Sequence, residues 1–351
     1  MGPMIKYLGS KRNLVPVLGE LFARSGARTA LDLFTGTTRV AQEFCRRGGF
    51  VHANDTASYA YVFAQTYVET RPEDVDPDEL KEALERLTAL PDRRGYLTET
   101  FCEQARYFQP HNGLRLDAIR AGIDEWYAES PLRPLLLTSL VEAADRVDST
   151  VGLQMAYLKD WSARSHQPLR LRPPQLVPGT GQAHQRDAAE LLPDLPRVDF
   201  AYLDPPYNQH RYFTNYHVWE TLIRGDAPEH YGKACKRADA RDAETKSPWN
   251  SKRTMPEEFA RVLEAVNADV TVVSFSNEGF VPLPELVEMA SVRGEVRVLD
   301  YEYDRYIGAR LGIYSPQGVK VGQVSHTRNV EHVLVCGAAD RVLAMTEGLA
   351  A

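Results

Sequence analysis

The run Val198-Asp-Phe-Ala-Tyr-Leu-Asp204-Pro205-Pro206-Tyr207 has a chemistry that residue types alone can name. An apolar, strand-like stretch delivers an acid, two prolines and an aromatic ring in immediate succession. An amino group on an aromatic ring is a poor nucleophile, because its lone pair is delocalised into the ring. A carboxylate and a backbone carbonyl, each accepting one of its N–H groups, turn that lone pair outward. Asp204 can supply the first acceptor and the Pro205 carbonyl the second. Consecutive prolines fix φ and keep the segment extended, so the two acceptors are preorganised. Tyr207 can stack on the ring that bears the amine, a contact worth about 1–3 kcal/mol. The same four residues also fit a strand leaving a core through a Pro-Pro turn with a surface tyrosine, so the surrounding pattern has to decide.

That pattern is built of βα units. Thr29 to Phe34 reads as a short apolar strand, Gly36 as a turn, and Thr37 to Arg47 as a helix with Val40, Ala41, Phe44 and Cys45 on one face. Gly48-Gly49 stops the helix, Phe50 to Ala53 forms a second strand, and Asn54-Asp55 sits just past its end. Residues 57–146 read as helical, cut by Pro72, Pro77, Pro91, Pro131 and Pro134, and the Pro-, Gly- and Arg-rich 164–183 reads as a loop. Strands resume at Val198 to Leu203, Val270 to Phe275, Glu295 to Tyr303 and Glu331 to Cys336. Alternation of this kind predicts a parallel, doubly wound α/β sheet interrupted by a helical insert, with ligands at the carboxyl ends of the strands.

Several motifs stand in a set order: Tyr7-Leu8-Gly9-Ser10-Lys11, Leu31-Asp32-Leu33-Phe34-Thr35-Gly36, Asn54-Asp55, Asp204-Pro-Pro-Tyr207 and Val273-Ser-Phe-Ser-Asn-Glu-Gly279. Together they resemble the Dam-like (alpha-group) S-adenosylmethionine-dependent N6-adenine DNA methyltransferases, over nearly all of the chain except the insert. The resemblance implies a Rossmann-like fold: a mostly parallel doubly wound sheet with an antiparallel edge strand, plus a helical target-recognition insert. It implies S-adenosylmethionine as methyl donor, held by Tyr7, Lys11, Asp32, Phe34, Gly36, Thr37, Asp55 and Asp187, with Asp204 shared between cofactor and substrate. Phe34 and Gly36 would form the turn at its methionine part, and Lys11 would pair with its carboxylate. Asp55, about twenty residues beyond the first strand, would accept its ribose hydroxyls. The bland readings are a helix cap for Asp55, a solvated lysine for Lys11 and a loop acid for Asp187. Where the first motif commonly has a second glycine this chain has Thr38, which can crowd the cofactor or donate a hydrogen bond. The catalytic set would be Asp204, Pro205, Pro206 and Tyr207, with no metal and no covalent intermediate.

A base inside a duplex cannot present its amine to a sheet edge, so double-stranded DNA as partner requires extrusion of the nucleotide. Tyr212, Phe213 and Tyr216 are candidates to hold it. The stretch from Lys233 to Arg253 has seven bases against three acids and predicts phosphate contacts from Lys233, Arg237, Lys252 and Arg253, with Trp249 among them. Lys159, Trp161, Arg164, Arg170 and Arg172 form a second basic set, and Arg305, Arg310, Lys320, His326 and Arg328 a third. The expected organisation is a discontinuous catalytic domain at 1–67 and 181–340, an insert at 68–180, and a DNA-facing loop region at 208–256. The closest rival substrates are ribosomal RNA and protein amides, which similar motifs also serve.

Composition sets the bounds. The chain has 351 residues, 25% charged and 43% hydrophobic, enough for a full α/β core with an insertion. A net charge of −7 argues against uniform coating of nucleic acid but not against local basic patches. The four cysteines are too scattered for a zinc or disulfide framework and are expected as reduced thiols. The absence of an apolar run near ~20 residues or of a signal peptide predicts a cytoplasmic protein of prokaryotic or phage type, not membrane-bound. A separately encoded cognate restriction endonuclease is the expected functional partner.

Overall fold

A computed structural model describes residues 5–9, 11–243, 245–304, 313–314, 320–322 and 328–349. The chain divides into two compact units, one made of Met1–Glu20, Arg28–Ala188 and His210–Ser247, the other of Leu21–Ala27, Ala189–Gln209 and Pro248–Ala351.

The first unit holds three parallel strands, β1 (Thr29–Asp32), β2 (Phe50–Asn54) and β3 (Thr180–His184), with β2 in the middle. Between β1 and β2 runs the expected helix, shortened to Arg39–Arg46. Its start is set by Thr38, whose φ of 61° is left-handed and cannot belong to a right-handed helix. Val40, Ala41, Phe44 and Cys45 are buried, as their spacing predicts, and Gly48 at φ 84° ends the turn. β3 lies where a loop is expected. Its sequence Thr-Gly-Gln-Ala-His has no apolar alternation because none of its residues is fully buried, and parallel pairing with β2 supplies what side chains do not. Gly181 is required there, since a Cβ would overlap the Val51 carbonyl.

The helical insert follows the prolines. Helices Pro77–Thr88, Pro110–Tyr127 and Arg133–Val147 each have proline in the first turn, where its missing N–H costs nothing. Asp76 caps the first by accepting the Asp78 and Glu79 amides at 2.9 and 3.4 Å, a cap worth ~1 kcal/mol. Leu84, Leu87, Phe101, Leu116, Ile119, Leu136, Leu140 and Trp219 share one core. A two-stranded ribbon, His230–Tyr231 with Lys236–Arg237, lies in the same unit.

The second unit holds β4 (Val198–Leu203), β5 (Ala268–Ser276), β6 (Glu295–Asp304) and β7 (Arg328–Gly337). β4 and β5 are parallel, while β7 runs antiparallel to β5 on one side and to β6 on the other. Five of these seven strands thus have a parallel neighbour, and antiparallel pairing among them is confined to the second unit: the α/β class that the resemblance implies. All four cysteines are buried free thiols. No helix among the described residues is long and apolar enough to cross a membrane.

His52 on β2 and His184 on β3 meet at 3.1 Å, ring nitrogen to ring nitrogen. Burial, and then the neighbouring His184, pushes the His52 imidazole down to about 4. A depressed histidine is neutral in the folded state but takes up a proton when unfolded. Its contribution to stability is therefore present above about pH 6.5 and lost as pH falls toward 4. The expected outcome is that His52→Leu flattens the fall of melting temperature between pH 6.5 and 4 relative to wild type, measured by differential scanning calorimetry.

Candidate active site

In the first unit the ends of the three strands are tied together by two adjacent side chains. Asn54, buried at the end of β2, donates to the Leu33 and Arg186 carbonyls, both at 3.1 Å, and accepts from the Arg186 amide at 3.1 Å. Asp55 accepts from the Gly36 amide at 2.9 Å through one oxygen and from the Ala57 amide at 3.0 Å through the other. It therefore braces the glycine turn and the turn that leads into the following helix at once. Burial pushes its carboxyl above the usual range, against the pull of those two amides. A carboxylate has about four acceptor positions, so two amide contacts leave capacity for hydroxyl donors.

The turn itself is Phe34 to Thr38. Asp32 is buried, and its carboxylate accepts from the Thr35 hydroxyl at 2.9 Å and the Ala41 amide at 3.2 Å, joining the turn to the next helix. Gly36 has φ 51°, and a Cβ on it would come to 3.3 Å from the Tyr7 ring. Thr38, in place of glycine, turns its hydroxyl inward: it donates to the Thr37 carbonyl at 2.7 Å and accepts from the Gln42 amide group at 3.0 Å. Of the two possibilities for Thr38, an internal hydrogen bond is what the structure contains. Thr37 and Lys11 are buried, while Phe34 and Asp187 are half-buried.

Tyr7 lies in a set of tyrosines. Its ring stacks on Tyr216 at 4.6 Å and on Tyr212 at 5.5 Å, and its hydroxyl is 3.3 Å from that of Tyr59. Burial holds the Tyr7 phenol well above its ordinary value, so it stays protonated. Tyr216 is fully buried and offers no open face to a base. Phe213 is half-buried beneath the Arg224 and Arg237 guanidinium groups, at 5.5 and 5.8 Å from its ring centre.

In the second unit the parallel register of β4 and β5 pairs Leu203 with Val273, which brings the next residues, Asp204 and Ser274, level. The Ser274 hydroxyl donates to an Asp204 carboxylate oxygen at 3.1 Å and accepts from the Tyr202 hydroxyl at 2.7 Å. Asp204 is thereby oriented by a two-step hydroxyl chain. The half-buried Tyr207 ring rests on Phe275 at 4.7 Å, and its carbonyl accepts from the Phe280 amide at 2.9 Å. Gly279 is the residue that lets Phe275 occupy this place, because a Cβ there would overlap the Phe275 ring. The Val273 to Gly279 motif carries no predicted role in the sequence, yet it holds Ser274 and Phe275. The i, i+2 relation of Tyr202 to Asp204, read together with a parallel neighbour, is the signal that would have found it.

The basic residues separate by partner. Lys159, Arg170, Arg172, Lys233, Lys252 and Arg253 are exposed. Arg164 is held by Asp148 at 2.5 Å, and the buried Arg237 by Asp226 and Asp239, both at 2.6 Å. Trp249 is buried against Phe259. Arg305, Arg310 and His326 lie outside the described residues, as do the side chains of Lys320 and Arg328. Among the described residues no group of three or more potential metal ligands occurs.

Residues 7–267 match the family model of D12 class N6 adenine-specific DNA methyltransferases. The type II methyltransferase M.NlaIII of Neisseria lactamica is 30% identical over 86% of this chain and 92% of its own length. M.FokI of Planomicrobium okeanokoites is 28% identical over 86% of this chain, which spans only 50% of that larger protein. M.CviAII of Paramecium bursaria Chlorella virus 1 is 26% identical over 86% of this chain and 92% of its own. Adenine in DNA is the substrate in the family's description, which favours DNA over the RNA and protein-amide alternatives.

Gly279→Ala is expected to displace Phe275 and lower unfolding free energy by about 1–3 kcal/mol, the usual cost of overpacking. Urea denaturation checks this, and an unchanged midpoint would contradict the tight seat of Phe275.

Proposed function

Because the chain belongs to the D12 class of N6 adenine-specific DNA methyltransferases, we propose that it carries a methyl group from S-adenosylmethionine to N6 of an adenine extruded from duplex DNA. The observation that carries this reading is Asp204, half-buried at the end of β4 and oriented by the Ser274 hydroxyl. A carboxylate held in this way accepts one N–H of the target amine. The Pro205 carbonyl accepts the other, and Tyr207, backed by Phe275, stacks on the base. Two acceptors fixed in advance need no reorganisation as positive charge develops on nitrogen.

Apart from Asp204, which is shared with the substrate, the cofactor residues of this proposal lie in the first unit. The glycine turn has a left-handed φ and lets the Tyr7 ring lie close against it, and Asp55 has acceptor capacity for ribose hydroxyls beside it. Tyr7, Lys11, Asp32, Phe34, Thr37 and Asp187 complete the set, Asp32 acting through the shape of the turn. The bound compound supplies an electrophilic methyl on a sulfonium, and the chain's own groups orient its acceptor. Lys159, Lys233, Lys252 and Arg253 are the proposed phosphate contacts, because their charges are exposed while Arg164 and Arg237 are engaged by carboxylates. Residues 68–180 are proposed to read the target sequence. The type II methyltransferase relatives support a modification role, and a separately encoded endonuclease is its proposed counterpart.

Asp204→Ala is expected to lower methyl transfer to duplex DNA by about 100-fold or more, in line with loss of one preorganised partner, while calorimetric binding of S-adenosylmethionine persists. Radiolabelled methyl transfer offered to duplex DNA, RNA and protein checks both parts. Turnover unchanged in Asp204→Ala, or label confined to RNA or protein, would overturn the proposal.

A further inference from the structure

We infer that Tyr216 is a positioning residue for cofactor binding, which fixes the N-terminal strap so that Tyr7 is pressed onto the Gly36 turn. The inference rests on the reading that this turn holds S-adenosylmethionine. The strap is clamped on both sides of Tyr7. Before it, the Lys6 ammonium contacts Asp145 at 2.8 Å and Asp148 at 3.2 Å. After it, the Leu8 amide donates to the Tyr216 hydroxyl at 2.5 Å. Gly9 follows at φ 73°, where a Cβ would come to 3.1 Å from the Tyr212 hydroxyl. Between the clamps the Tyr7 ring has Tyr216 stacked on it at 4.6 Å and 15°, and its edge lies against Gly36.

Tyr216 thus acts twice on the strap, through its hydroxyl on the backbone and through its ring on Tyr7. It touches no proposed substrate position itself, since its side chain is fully buried. The geometry separates the two actions chemically. Tyr216→Phe keeps the stack and removes the acceptor of the Leu8 amide. Tyr216→Leu removes both.

The test uses the full chain, with S-adenosylmethionine affinity by calorimetry, duplex DNA affinity by fluorescence anisotropy, and melting temperature for each variant. Tyr216→Phe is expected to weaken cofactor binding about 3- to 10-fold, the usual effect of losing one hydrogen bond. Tyr216→Leu should weaken it further, with DNA affinity unchanged in both and kcat recovered at saturating cofactor. Cofactor affinity unchanged in Tyr216→Phe overturns the inference. So does a parallel loss of cofactor and DNA affinity with a lowered melting temperature, which marks a purely structural role. Gly36→Val run alongside tests the underlying reading: normal cofactor binding by that variant would remove the turn as the site, whatever Tyr216 does.

Discussion

The ends of parallel strands impose the constraint on which the rest of this molecule depends. In a parallel pair no hairpin covers the residue past the end of a strand. Backbone groups there have lost their ladder partners and must find others. In one unit Asn54 and Asp55 answer for the ends of β1, β2 and β3. In the other, β5 runs on past the end of β4, and the Ser274 hydroxyl on it holds the carboxylate of Asp204, the first residue beyond β4. Polar side chains gather beside the strand ends in both units, so fold and proposed chemistry draw on the same residues.

Much of this was legible in the chain because it is local. The helix after β1 shows its buried face through Val40, Ala41, Phe44 and Cys45, and the insert shows its helix starts through proline. The ordered short motifs pointed to the acid and the rings that the fold places at strand ends. What escaped was what depends on distant partners. β3 has no apolar alternation, because none of its residues is fully buried, and its pairing with β2 lies more than a hundred residues away. Arg164 and Arg237 look like solvated cations until Asp148, Asp226 and Asp239 are placed beside them. Tyr216 looks in sequence like the half-buried Tyr212 and Phe213, yet its ring is fully inside.

Thr38 shows how a departure from a pattern is accommodated. A left-handed φ in a β-branched residue costs about 1–2 kcal/mol relative to the right-handed region. Here the residue is fully buried and its hydroxyl makes two hydrogen bonds within the turn and the helix it precedes. The side chain points into its own helix, so the Gly36 turn keeps its shape without a second glycine.

The partnership between Leu8 and Tyr216 spans 208 residues of chain. A ribosome adding about 5–20 residues per second needs on the order of 10–40 seconds to supply the second partner after the first has been made. During that interval the strap lacks its Tyr216 partner, and β1 and β2 can pair long before it. The first unit therefore matures late in synthesis, with its opening residues among the last to be locked.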